Sequence, residues 1–88
     1  MSFSLHTERV PEGIRCFWPN GEVMGMIAAK VFQGGLILWH CHPEETGMPD
    51  WSFHSQQAAE FYMLSAAHEY IDSTEDKNKL EKKELKAG

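Results

Sequence analysis

Two turn signals decide most of what this chain can become. Asn20-Gly21 and Gly34-Gly35 stand at either end of an apolar run over residues 22–32, and further apolar runs, 14–18 and 36–42, lie beyond them. Asn-Gly and Gly-Gly tolerate the positive φ that a tight hairpin demands, so consecutive runs must fold back on one another as antiparallel strands. A weakly alternating segment, 3–10, precedes Pro11-Glu12-Gly13 and adds one more strand. The expected sheet is a four-stranded antiparallel meander with strands near 3–10, 14–18, 22–32 and 36–42.

The pattern changes after residue 42. Pro43, Gly47 and Pro49 break up residues 43–54, which read as a loop. Ser55 is the expected N-cap, its hydroxyl free to accept from a backbone N–H of the first turn. From Gln56 to Ile71 there is neither Gly nor Pro, so a helix is expected from about 55 to at least 71. Beyond it, residues 73–88 hold only Leu80, Leu85 and Ala87 as apolar groups and read as a charged helical extension or a disordered tail. At 88 residues the chain has room for one α+β domain, residues 1–72, with one helix laid on one sheet.

Charge narrows the function classes. Residues 1–71 hold three basic groups (Arg9, Arg15, Lys30) against eight acidic ones, and residues 72–88 hold five of each sign. The folded part is therefore acidic, and it lacks the clustered Lys and Arg that a phosphate backbone requires. Nucleic acid is not the expected partner. No apolar run approaches the ~20 residues of a membrane span, and residues 1–13 carry no basic and apolar leader pattern, so a cytoplasmic setting is expected.

If both turns are two-residue hairpins, the strand faces follow from parity. Ile14, Cys16, Trp18, Val23, Ile27, Ala29, Val31, Leu36 and Leu38 then share the face that the helix covers. The other face carries Arg15, Phe17, Met24, Met26, Ala28, Lys30, Phe32, Ile37, Trp39 and Cys41. A three-residue turn at Gln33-Gly34-Gly35 would invert the last strand. A sheet with one face in water is normally polar there, and this one is not. On the helix, Ala59, Tyr62, Met63, Ala66, Ala67 and Tyr70 form the stripe toward the sheet, while Phe61 and Leu64 project away.

The residues with chemical potential are His40, Cys41 and His42. His-x-His on a strand places both imidazoles on one face, a spacing that metal sites use. Residues 34–45 resemble the first cupin motif, with Gly34 ahead of His40 and His42, which implies a metal held by histidines. The following carboxylates, Glu44 and Glu45, stand closer to His42 than that motif has them, and no second motif follows. Cys16 and Cys41 read as buried small hydrophobes, and no cofactor is expected.

The reading that these features support is a small non-enzymatic protein-binding domain of accessory, regulator or inhibitor type. In size and charge it resembles the accessory proteins of phages and mobile elements. Its partner surface is expected to comprise Phe17, Met24, Met26, Phe32 and Trp39 on the sheet, with Phe61 and Leu64 on the helix, docking on another protein or on a second copy. The alternative is a small metal-binding or redox domain using His40, Cys41 and His42.

Overall fold

A computed structural model describes residues 3–81. The strands are β1 (His6–Val10), β2 (Gly13–Phe17), β3 (Val23–Val31), β4 (Ile37–Pro43) and β5 (Trp51–Phe53), followed by the helix α1 (Gln56–Thr74). They form one antiparallel sheet in the order β1-β2-β3-β4-β5, with α1 packed against β3, β4 and β5. The α+β two-layer expectation holds, with five strands in place of four. The strand absent from the sequence reading is β5, three residues between Pro49 and Ser55, too short to show alternation.

Both hairpins close differently from the two-residue expectation. The N–H of Trp18 donates to the Glu22 carbonyl and that of Gly21 to the Trp18 carbonyl, which encloses three residues, with Gly21 at φ 93°. The second repeats this: Phe32 N–H donates to the Leu36 carbonyl and Gly35 N–H to the Phe32 carbonyl, around Gln33-Gly34-Gly35. A three-residue loop shifts the register by one relative to a two-residue loop, and every side chain beyond it changes face.

In the first hairpin a β-bulge undoes that shift. Phe17 pairs with Val23 but Cys16 pairs with Gly25, leaving Met24 as the extra residue, so Ile14 still faces Ile27 as expected. The bulge turns Met24 into the core, where it is fully buried, and leaves Val23 46% exposed. In the second hairpin the register stays regular: Val31 pairs with Ile37, Ala29 with Trp39 and Ile27 with Cys41. All of β4 is therefore inverted relative to expectation. Cys41 and Trp39 lie on the helix side, and Leu38, His40 and His42 on the other.

The core is small and lies between the sheet and α1. Ile14, Cys16, Trp18, Met24, Ile27 and Cys41 from the sheet meet Ala59, Met63, Ala66 and Ala67 from the helix. Ser55 caps α1, its hydroxyl accepting from Ala58 N–H at 3.3 Å. The alanines allow close approach, and Gly25 completes it: a Cβ there would overlap the His42 carbonyl oxygen and the end of the Met63 side chain. Trp18 is enclosed by aromatic rings, Tyr70 at 5.5 Å and Phe3 at 6.2 Å between centroids.

The chain after the helix does not prolong it. Glu75 adopts the left-handed conformation with its N–H on the Ile71 carbonyl, which stops α1 and turns the chain into a 3₁₀ turn, Lys77–Lys79. This turn packs on the first hairpin loop. The Asn20 amide donates to the Asn78 carbonyl at 3.0 Å, Asn20 N–H donates to the Lys79 carbonyl, and Lys79 Nζ pairs with Glu22 and Glu45. Residues 73 and 74 continue α1 and residues 75–81 fold back on the first hairpin loop, where a helical extension or a disordered tail was expected; 82–88 lie outside the described residues.

Candidate functional site

The face of the sheet turned away from α1 can be read row by row across the strands. His6 lies beside Phe17, and Glu8 beside Arg15, Met26 and His42. Val10 lies beside Gly13, Ala28, His40 and Ser52, and Lys30 beside Leu38. Phe32 and Leu36 close the series at the tip of the β3–β4 hairpin. No second layer among the described residues covers this face. The N-terminal residues go elsewhere, Phe3 stacking on His68 of α1 at 4.2 Å.

Several side chains of the expected partner surface are here and two are not. Phe17 and Met26 are half-buried on the open face, and Phe32 is 46% exposed at its tip. Met24 and Trp39 belong to the other side: the bulge puts Met24 in the core, and the inverted register packs Trp39 against it. Phe61 is 71% exposed on the outer side of α1. Leu64 instead lines a shallow groove with Leu5, Thr7 and Cys16 at the other flank of the helix. The residue that parity misplaced, Leu38, joins the open face, and Leu36 lies 48% exposed beside Phe32. With Val31 at 72% and Ile37 at 39%, the tip of the hairpin is apolar on both sides.

At the Phe17 end the face opens into a concavity of about 700 Å³. Phe3, Leu5, His6, Phe17, Trp18 and Pro19 line it, and Glu8 stands at its rim. A smaller cluster sits at the opposite flank. Asp50, from the 44–50 loop, accepts from His42 Nδ1 at 2.7 Å and from His40 Nε2 at 3.3 Å. His40 Nδ1 and the Ser52 hydroxyl are hydrogen-bonded at 2.9 Å. The His42 hydrogen bond holds the Asp50 carboxyl below its ordinary value against the opposing effect of desolvation, with lesser help from the His40 hydrogen bond. The two histidines therefore fasten the loop and β5 to β4. Among the described residues no group of three His, Cys, Asp or Glu is arranged to hold a metal ion.

Cys41 does not join the histidines. Its neighbours in sequence point to the opposite face, and its thiol is fully buried, donating to the Ala59 carbonyl at 3.5 Å. Burial, then the charges of Cys16 and Asp50, push the Cys41 thiol up to about 12. Burial, with a contribution from Glu60, raises Cys16 to about 11. A thiol so raised is almost wholly protonated near neutral pH and is a poor nucleophile. Cys16 and Cys41 occupy the same face, a correction to the expected opposite placement, and both are free thiols.

No helix among the described residues is long and apolar enough to cross a membrane. The chain matches no family model, no curated protein and no solved structure.

Proposed function

We propose that this is a non-enzymatic docking domain of the cytoplasm, acting as an accessory or regulatory protein through the open face of its sheet. One observation carries the reading. Phe17, Met26, Ala28, Leu38, Leu36 and Phe32 lie in successive rows of one sheet face from the β2 end to the hairpin tip, and α1 lies on the other side. Exposed apolar strips of this kind in soluble domains mark interaction sites, because leaving them in water costs free energy and invites aggregation. Aromatic, Met and Arg side chains, here Phe17, Phe32, Met26 and Arg15, are also the types that concentrate at interface centres.

The test is capture on the immobilised protein from extracts, comparing wild type with Leu38→Lys on the open face and Phe61→Ser on the helix. A protein, or a second copy of this chain, should be retained by wild type and by Phe61→Ser and lost with Leu38→Lys. Retention that is indifferent to Leu38→Lys, or no retention at all, removes the open face as the docking surface.

A further inference from the structure

We infer that this chain carries a second interaction surface, the free edge of β1, and that its partner there is the same edge of a second copy, paired antiparallel about a two-fold axis through Thr7. The open face takes no part in this contact. Of the two sheet edges, β5 is three residues long, too short to serve as a template. β1 has five residues in unbroken register with β2 and no proline among them. Val10 pairs with Gly13 across the turn Pro11-Glu12, and Pro11 has no N–H, so Val10 and Gly13 must exchange their hydrogen bonds directly. Exchange then alternates along the ladder: Val10, Glu8 and His6 bond to β2, and the N–H and C=O of Thr7 and Arg9 point outward. Among the described residues no backbone hydrogen bond beyond the ladder reaches either of them.

The side chains select the register. The free groups lie on odd-numbered residues, Leu5, Thr7 and Arg9, so an antiparallel copy must bring odd residues opposite odd ones. Centred on Glu8, the pairing sets two carboxylates face to face; centred on Arg9, it sets two guanidinium groups together, and like charges directly opposite are destabilising. Centred on His6, it places Arg9 opposite Phe3, which turns away to stack on His68 of α1. Centred on Thr7, it sets Thr7 on Thr7, His6 opposite Glu8 of the other copy, and Leu5 opposite Arg9. Threonine pairs across strands are favourable, and an imidazole N–H beside a carboxylate is a donor facing an acceptor.

The flank of the helix points to the same register independently. Thr7 and Arg9 pair with Cys16 and Ile14 and so lie on the helix side of the sheet. Because α1 packs on β3, β4 and β5, a groove of about 220 Å³ stays open between the helix and β1. Glu60 is the one formally charged residue lining it, in company with Leu5, Thr7, Cys16 and Leu64. Within one chain Arg9 stands at the far end of β1, about 13 Å along the strand from Leu5. Neither Arg9 nor Glu60 has an ion pair among the described residues. In the Thr7-centred pairing, Arg9 of the second copy comes beside Leu5, at the mouth of the groove that holds Glu60. Arg9 to Glu60 is thus the intermolecular pair, made twice by symmetry. Both helices lie on one side of a continuous sheet, and the contact uses up the β1 edge of each copy, so the assembly closes as a dimer.

The test is sedimentation equilibrium over a concentration series on wild type, Thr7→Pro, Arg9→Glu, Glu60→Arg, the double exchange of the last two, and Leu38→Lys. Circular dichroism verifies that each variant is folded. Proline at position 7 removes an outward N–H and leaves the ladder to β2 intact. Expected is a dimer for wild type and a monomer for Thr7→Pro. Arg9→Glu and Glu60→Arg should each weaken the dimer about tenfold or more, with recovery to near wild type in the double exchange. Leu38→Lys should dimerise as wild type does, since the open face is not involved. A wild type that stays monomeric at every concentration, or a dimer indifferent to Thr7→Pro, overturns the edge contact. A double exchange as weak as either single variant overturns the register. A dimer lost with Leu38→Lys overturns the edge and places self-association on the open face. The docking reading is decided separately, by whether a different protein is captured through Leu38.

Discussion

Replacing Ile27 and Leu38 by alanine, one at a time, separates the two possible registers of the last hairpin. Ile27 is fully buried at the centre of β3, so Ile27→Ala removes three carbons from the core. At about 0.8 kcal/mol per carbon that is roughly 2.4 kcal/mol of transfer free energy. A residual cavity of ~50 Å³ would add about 1.2 kcal/mol at ~24 cal/mol per Å³, for a total near 3.5 kcal/mol. Leu38 is half-buried on the open face, where no closed cavity can form. Leu38→Ala should cost about half the transfer value, near 1.2 kcal/mol. In a domain of this size the ~2 kcal/mol difference corresponds to about 8–16 °C in melting midpoint. Thermal melts at concentrations where the protein is monomeric read it directly. Equal losses for the two variants, or a larger loss for Leu38→Ala, would refute the three-residue loop at Gln33-Gly34-Gly35 and restore Leu38 to the core.

Three further outcomes are expected. Asp50 is held in its charged form mainly by His42, so its folded-state value lies below its unfolded one. Its contribution to stability is therefore complete above about pH 4 and disappears as pH falls through the folded value. The stability gap between wild type and Asp50→Asn should shrink as pH falls through the folded value; a gap that widens there would reverse the sign. Ending the chain after Glu75 removes the carbonyls of Asn78 and Lys79 that Asn20 uses, at about 0.5–1.5 kcal/mol each, so the truncated domain should still melt cooperatively but at a lower midpoint. An unchanged midpoint would mean the return over the first loop contributes nothing. Cys16 and Cys41 should both resist alkylation in the native protein near neutral pH and react at once in denaturant; rapid native labelling of either would contradict its burial.

Much of the fold was legible because turn residues and hydrophobic runs point the same way. The meander, the Ser55 cap and the stripe of Ala59, Met63, Ala66 and Ala67 all follow from local rules. The candidate site was legible only in part, because face assignment depends on a single residue of loop length. Gly34-Gly35 supports a two-residue or a three-residue closure equally well, and the difference moves Trp39 and Leu38 across the sheet. The first hairpin shows the same error cancelled by the Met24 bulge, which no periodicity announces since Val23, Met24 and Met26 are all apolar. The contact of Asn20 with Asn78 and Lys79 was illegible for another reason: it joins segments far apart in sequence through backbone carbonyls, which carry no residue signature. Asp50 is a similar case, for only the folded 44–50 loop brings it to His40 and His42.

The methionines offer the most direct test of the open face. With ε-methyl groups labelled, NMR in the presence of a soluble paramagnetic agent reports the solvent access of Met24, Met26 and Met63 in one spectrum. Met24 and Met63 are fully buried, and Met26 lies half-buried on the uncovered face. In dilute protein the Met26 signal should be strongly relaxed while those of Met24 and Met63 are spared. A Met26 signal as protected as that of Met63 in dilute protein would contradict docking through this face.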